Sequence, residues 1–174
     1  MLKDEFVFCG SIESEITDNI LLTWERCKSN PSNLEDTTPD CTYDGIQTSN
    51  ILLLSDFQNF MFQDSLNKLL FICENILRCN LKYFHVHIIE YFDNGYQAIH
   101  NHKHNEDFSL VLYLNDCNRG ETFFDSGIVC IPKKDNILLF SSSLDHGGNH
   151  TSISDNKKVL VCGFTKTNDH ETEN

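Results

Sequence analysis

Residues 95–115 read GYQAIHNHKHNEDFSLVLYLN, a stretch in which histidines stand at alternate positions ahead of an apolar run. The histidines are His100, His102 and His104, and the apolar run begins at Phe108. Successive side chains of an extended strand point to opposite faces, so residues two apart share a face. The run is rich in residues that favour strands, and the stretch therefore predicts a β-sheet that presents at least two imidazoles on one side.

A fourth histidine of interest lies far downstream, in PKKDNILLFSSSLDHGG at residues 132–148. This is His146, and it follows a second apolar, strand-like segment. A His-x-His pair joined by one distant ligand would cover one side of a metal and leave the other side open. Such a site is what non-heme Fe(II) oxygenases need, because cosubstrate and dioxygen must both reach the iron. We predict His100, His102 and His146 as the metal ligands and the catalytic centre.

Two other registers of the histidine cluster remain open. The first uses His102 with His104, and the second uses His104 with Glu106, which would give two histidines and one carboxylate. His150 competes with His146 as the distant ligand. A second alternating pair, His85 and His87, is interpreted as half-buried strand residues away from the site, because most histidines on strands have that role.

The rest of the chain predicts an α+β fold. Apolar residues recur at helical spacing in residues 12–28 and again in residues 56–79, separated by a polar loop that includes residues 30–50. From residue 82 onward the chain consists of short β-branched and aromatic segments divided by turn-like clusters. Helices first and strands later predict N-terminal helices packed on one sheet of a jelly roll.

Length and composition predict one domain over residues 1–166, with a helical part at about 12–79, a jelly-roll core at about 82–166 and a polar tail at 167–174. The chain has 174 residues, of which 40% are hydrophobic, which suits a single core. No apolar run reaches about 18 residues, and the acidic start does not resemble a signal peptide. We therefore expect a soluble, cytoplasmic protein that does not enter a membrane.

The charge and the cysteines narrow the classes of partner. The formal net charge of -13 argues against nucleic acid as a partner, since binding a phosphate backbone requires clustered lysine and arginine. The 8 cysteines include no CxxC pair, so we expect reduced thiols rather than disulfides or a zinc ribbon. Oligomeric state and substrate identity are not encoded in any pattern that we recognise.

Several patterns in residues 83–165 together resemble the 2-oxoglutarate- and Fe(II)-dependent dioxygenases, in particular short prolyl-hydroxylase-like double-stranded β-helix enzymes. They are GYQAIHNH followed by FSLVLYLN, the turn RGETFF, the strand ILLF leading to SSSLDHGG, and two lysines that open the strand KVLVCGF. The family usually has His-x-Asp or His-x-Glu where this chain has His100-x-His102. A three-imidazole site would be less anionic, which would raise the potential of bound iron.

The resemblance implies a function and further binding residues. It implies an oxygenase that uses Fe(II), dioxygen and the small-molecule cosubstrate 2-oxoglutarate to hydroxylate a protein side chain or a small metabolite, with release of succinate and carbon dioxide. It also implies a cation for the far carboxylate of 2-oxoglutarate, for which Lys158 is the first choice and Lys157 the second, and a phenolic partner in Tyr113. Two alternatives remain: a non-catalytic jelly-roll protein that binds a metal or ligand, and a cupin-type three-histidine dioxygenase that needs no 2-oxo acid.

Overall fold

The computed structural model describes residues 6–35 and 42–167. Within these ranges the chain forms two α-helices and ten β-strands, with short 3-10 turns at Pro31–Asn33, Ile51–Leu53 and Ser55–Phe57. The elements in chain order are β1 (Val7–Ser11), α1 (Ser14–Cys27), β2 (Leu34–Glu35), β3 (Thr42–Thr48), α2 (Phe60–Leu77), β4 (Leu81–His100), β5 (Phe108–Tyr113), β6 (Thr122–Phe124), β7 (Val129–Cys130), β8 (Asn136–Ser141), β9 (His146–Gly148) and β10 (Lys157–Lys166).

Both helices form where the apolar spacing predicts them. Helix α2 begins later than expected because the side chain of Asn59 accepts a hydrogen bond from the backbone N–H of Phe62 at 3.0 Å and so caps the helix,. It ends at Arg78, whose left-handed backbone (φ 54°) stops the helical repeat,. The apolar faces of α1 and α2 are buried in one common core.

The strands form one antiparallel sheet that curls into a nearly closed barrel, in the order β1-β8-β5-β10-β4-β9-β6-β7, with β3 paired to the other edge of β4. Strand β10 shows how the two faces differ. Leu160 and Cys162 belong to the core under the helices, whereas Val159 and Val161 pack with residues inside the barrel. This arrangement confirms the predicted jelly roll with N-terminal helices on one sheet.

A buried carboxylate joins helix α1 to the sheet. Glu90 lies on the helix-facing side of β4 and is only 3% exposed. Its Oε2 accepts a hydrogen bond of 2.9 Å from Nε1 of Trp24, and Nζ of Lys28 lies 3.7 Å from the same oxygen. The carboxylate is thus paired, as burial requires.

Two parts of the chain differ from the sequence-based expectation. The turn-like cluster at residues 93–95 does not end a strand, because β4 continues through it with Asn94 in a left-handed conformation (φ 63°). Gly95 permits this: a Cβ there would lie 2.5 Å from the carbonyl oxygen of Asp44 on β3. The polar loop at 30–50 also contains strands, since β2 pairs with β3 and β3 pairs with β4.

Other expectations concern the chain's ends, its thiols and membranes. Of the predicted polar tail 167–174, residues 168–174 lie outside the described residues, and the extent of the single domain stays a prediction. Cys41 also lies outside them, and the other seven cysteines are free thiols. Among the described residues, no helix has the length and apolar character needed to cross a membrane.

Candidate metal centre

Three histidines converge where β4 and β9 meet. His100 is the last residue of β4 and is paired across the ladder with His146, the first residue of β9. His102 follows two residues later, and its backbone N–H donates a hydrogen bond of 2.8 Å to the carbonyl of Ser142. The nitrogen ligand atoms of the three rings lie within 4.8 Å of one another. The structure thus brings together the three predicted ligands.

Hydrogen bonds to the backbone orient two of these rings. Nδ1 of His100 lies 2.8 Å from the carbonyl oxygen of Ala98, and Nδ1 of His146 lies 3.0 Å from that of Leu144. A carbonyl can only accept, so in both rings Nδ1 carries the hydrogen and Nε2 keeps its lone pair. A neutral imidazole held in this way is the usual form of a metal-binding histidine.

Burial keeps the three rings neutral. It lowers the pKa of His100 and of His102 below the ordinary value for histidine. It lowers the pKa of His146 to about 3, with further lowering by the neighbouring His100. Neutral imidazoles do not need to lose a proton before they bind a cation. The donor set therefore fits a divalent transition metal.

The histidines border a cavity of about 210 Å³ inside the barrel. Its walls include apolar side chains such as Val161 and Phe140 and polar side chains such as Gln47 and Gln97. The three rings cover one side of the candidate metal position, and the cavity gives space next to it. A bound metal could therefore keep coordination positions for further ligands.

A buried carboxylate lines the same cavity. Glu106 is 7% exposed, and its Oε2 lies 2.7 Å from Nε2 of His85. Its Oε1 accepts a hydrogen bond of 2.6 Å from the hydroxyl of Ser109. Burial opposes ionisation of Glu106, but the contacts with His85 and Ser109 prevail and lower its pKa below the ordinary value,. The cavity therefore contains a negative charge near the three histidines.

A buried lysine lies on the inner face of β10. Lys157 is 4% exposed, and its Nζ lies 5.0 Å from the ring centre of Tyr91 and 5.9 Å from that of Tyr113. Within residues 6–35 and 42–167, no carboxylate pairs with this ammonium and no hydrogen bond to it is formed. Burial lowers the pKa of Lys157 to about 8. A buried cation with no ion pair or hydrogen bond among the described residues is suited to binding an anion from outside the chain.

The first choice for this cation, Lys158, does not point into the barrel. Alternation along β10 places it on the helix-facing side, where its Nζ lies 3.0 Å from Oε1 of Glu25 and 3.9 Å from Oε1 of Glu90,. Lys158 thus helps to attach α1 to the sheet. Tyr113 does lie inside the barrel, and its hydroxyl donates a hydrogen bond of 2.8 Å to Oγ1 of Thr122.

The remaining histidines are placed as follows. His104 is exposed in the turn after β4, so both registers that use it as a ligand disagree with the structure. His150 is exposed as well, and its ring lies 4.4 Å from that of Tyr96. The expectation that His85 and His87 lie away from the site is wrong, because both line the cavity. Their alternate spacing, like that of the ligands, was the signal that could have identified them.

Solved structures with the same architecture were found, although no family model and no curated protein matches the sequence. A prolyl-4-hydroxylase from Pseudomonas putida superposes with a TM-score of 0.71 at 14% identity, over 94% of each chain. A viral collagen prolyl hydroxylase from Paramecium bursaria Chlorella virus-1, in complex with 2-oxoglutarate, gives 0.64 at 16% identity, over 94% of this chain and 96% of that one. The chain has the fold of the 2-oxoglutarate- and Fe(II)-dependent oxygenases.

A third structure with this fold contains both a metal and the cosubstrate. HygX from Streptomyces hygroscopicus, with nickel, 2-oxoglutarate and hygromycin B bound, superposes with a TM-score of 0.61 at 12% identity, over 94% of this chain and 83% of that one. At such identities the likeness establishes the fold. The function has to be argued from the residues of this chain.

Proposed function

We propose that the protein is an Fe(II)- and 2-oxoglutarate-dependent oxygenase that hydroxylates a protein side chain or a small metabolite and releases succinate and carbon dioxide. The observation that carries this proposal is the convergence of His100, His102 and His146 to within 4.8 Å beside a cavity. In this assignment one ring nitrogen of each histidine holds the metal. Bound iron would supply the oxygen-activating chemistry, in which 2-oxoglutarate would be consumed.

Lys157 has the properties of an anchor for the cosubstrate. 2-Oxoglutarate has two carboxylates, and the one far from the metal needs a cation inside the barrel. Lys157 lies on the same inner face of β10 as Val161, which lines the cavity. Its ammonium would pair with that carboxylate, while the ring of Tyr113 covers it from the side,. The same pairing would relieve the cost of burying an unpaired lysine.

The size of the cavity limits how much of a substrate can enter it. About 210 Å³ is less than the roughly 300–1,000 Å³ of pockets that enclose drug-sized ligands. After the cosubstrate has entered, space remains only for a protruding group of the substrate. A side chain of a polypeptide or one end of a small metabolite meets that condition, and polar side chains such as Gln47 and His87 are available to hold it.

Glu106 supports catalysis as well as metal binding. A site with three neutral imidazoles lacks the negative charge that a carboxylate ligand provides, and this lack would disfavour the oxidised states of iron. Glu106 has a lowered pKa and lines the same cavity, so it would return a negative charge to the site from outside the group of three histidines. The contact with His85 and the hydrogen bond that Ser109 donates hold the carboxylate in place.

The replacement of the usual carboxylate ligand by His102 also favours a second candidate, a jelly-roll protein that binds a metal without oxygenase turnover. Three imidazoles bind zinc or nickel well. The third candidate, a three-histidine dioxygenase without a 2-oxo acid, leaves the buried Lys157 without a role. The first candidate requires 2-oxoglutarate for turnover, whereas the second has no turnover and the third consumes oxygen without 2-oxoglutarate.

One experiment separates all three. Fe(II) is titrated into the protein under anaerobic conditions with and without 2-oxoglutarate, and the visible charge-transfer band that follows chelation of a 2-oxo acid to iron is recorded. Oxygen is then admitted, and succinate and oxygen consumption are measured. The proposal predicts the band and succinate formation in the wild type, loss of both in His146→Ala, and retention of both in the matched control His150→Ala, which changes an exposed histidine.

The alternative outcomes are distinct. Tight binding of zinc or nickel with no spectral response to 2-oxoglutarate and no succinate at any iron loading would favour the non-catalytic protein. Oxygen consumption that is independent of 2-oxoglutarate would favour the three-histidine dioxygenase. Equal losses in His150→Ala and His146→Ala would show that the triad is not the metal site.

A further inference from the structure

Two thiols meet between strands β1 and β7. Sγ of Cys9 on β1 lies 3.2 Å from Sγ of Cys130 on β7. Both are free cysteines, Cys9 exposed and Cys130 partly exposed. A disulfide has an S–S length of about 2.05 Å, so the two sulfur atoms would have to approach by only about 1 Å.

The two cysteines lie on the first and last strands of the strand order. β1 and β7 are the two ends of the strand order, and among the described residues β1 pairs with β8 and β7 pairs with β6, each on one edge. The Cys9–Cys130 contact therefore bridges the opening between the first and last strands of the barrel. A bond between these sulfur atoms would close the barrel covalently, in a place where the backbone ladder does not close it.

The surroundings give access to a small oxidant. Both thiols line a surface groove of about 390 Å³ that also includes Tyr113 and Lys133. Cys9, the more exposed thiol, is the one that a dissolved oxidant reaches first, and Cys130 is in contact with it. An accessible cysteine beside a second cysteine is the arrangement found in reversible thiol oxidation.

We propose that Cys9 and Cys130 form a reversible disulfide when the protein meets a hydroperoxide. The sulfur of Cys9 attacks the peroxide, the O–O bond breaks, and Cys9 becomes a sulfenic acid while one water leaves when hydrogen peroxide is the oxidant. The sulfur of Cys130 then attacks the sulfur of Cys9, the S–O bond breaks, and the proton of the Cys130 thiol leaves with that oxygen as a second water. Two electrons pass from the thiols to the peroxide, and a dithiol reductant returns them.

The test uses the full-length protein and does not depend on oxygenase activity. The protein is treated with a small excess of hydrogen peroxide and, in a parallel sample, with the thiol-specific oxidant diamide, which excludes damage by iron-derived radicals. Free thiols are counted in denaturant, and a digest is analysed by mass spectrometry without reduction. We expect two of the 8 thiols to disappear, a linked pair of peptides that contains Cys9 and Cys130, and full recovery with dithiothreitol.

Variants separate this pair from the other cysteines. Cys9→Ser and Cys130→Ser should each prevent the cross-link, and Cys79→Ser, which removes a partly exposed cysteine elsewhere, should leave it unchanged. Peptide mapping of the wild type decides the matter even if a variant does not fold. The proposal is overturned if Cys9 proceeds to sulfinic acid while Cys130 stays free, if the cross-link joins two molecules, or if it joins a different pair.

Discussion

Replacing Lys157 with methionine should weaken the binding of 2-oxoglutarate and at the same time stabilise the ligand-free fold. Burial lowers the pKa of this lysine from 10.5 to about 8, which corresponds to a cost of about 3 kcal/mol for keeping it charged in the folded chain at neutral pH. Methionine has a similar length and no charge, so Lys157→Met removes that cost. The midpoint of thermal unfolding of the ligand-free protein should therefore rise.

Lys157→Met should weaken the binding of 2-oxoglutarate because it would leave one carboxylate of the cosubstrate buried without a cation. Removing one member of a buried ion pair costs about 3–5 kcal/mol, and every 1.4 kcal/mol is about tenfold in affinity. The Kd for 2-oxoglutarate should thus increase by roughly 150-fold to several thousand-fold. Isothermal titration of 2-oxoglutarate into the nickel-loaded protein measures this value without turnover.

The adjacent lysine provides the matched control. Lys158→Met makes the same chemical change one residue away, on the face where Lys158 pairs with Glu25. It should leave the affinity for 2-oxoglutarate unchanged, because Lys158 lies on the helix-facing side of β10 and its ion pair does not face the cavity,. The reasoning is refuted if Lys157→Met binds 2-oxoglutarate as the wild type does, or if Lys158→Met loses as much affinity.

Three further predictions concern pH, the buried carboxylate and the metal. Above pH 8 the free protein has lost the proton of Lys157, and binding of the 2-oxoglutarate dianion must restore it. The affinity for 2-oxoglutarate should therefore fall about tenfold per pH unit from pH 8 upward in the wild type and be independent of pH in Lys157→Met. A wild-type affinity that does not change with pH would contradict this. Glu106→Gln should weaken Ni(II) binding by about tenfold or more in calorimetry, because it removes a buried negative charge near the bound cation, and unchanged affinity would exclude the carboxylate from that role. Zn(II) at about 100 times its Kd should stabilise the wild type by about 2.7 kcal/mol in thermal or denaturant unfolding, and a similar gain in His146→Ala would place the metal elsewhere.

Much of the fold could be predicted from periodicity. The helical spacing around Trp24 and along α2 and the β-branched segments after Leu81 led to the correct architecture. The pairing of β3 with β4 could not be predicted, because it depends on the fit of Gly45 and Gly95 between neighbouring backbones. Such close approaches involve residues that are distant along the chain, and no local pattern records them.

The parts of the candidate site that could be predicted are those in which the spacing of residues within one segment determines where their side chains point. The His-x-His spacing is such a case, because alternation in an extended chain puts both rings on one side. The choice between Lys157 and Lys158 is not, because a change of one residue moves a side chain to the opposite face of the sheet. The residues that decide it, Glu25 on α1 and Glu90 on β4, are far from β10 in sequence and meet Lys158 only in the folded protein.

If the protein is the proposed oxygenase, charge explains how a histidine can stand where the family usually has a carboxylate ligand. A carboxylate ligand both donates to the metal and offsets its positive charge, and His102 as a ligand would perform only the first task. Glu106 can perform the second, since it is buried in the same cavity and its contacts with His85 and Ser109 lower its pKa. A charge in a medium of low dielectric constant acts over several ångströms without direct contact. In the proposed site the two functions of one ligand would thereby be divided between His102, which would bind the metal, and Glu106, which would balance its charge.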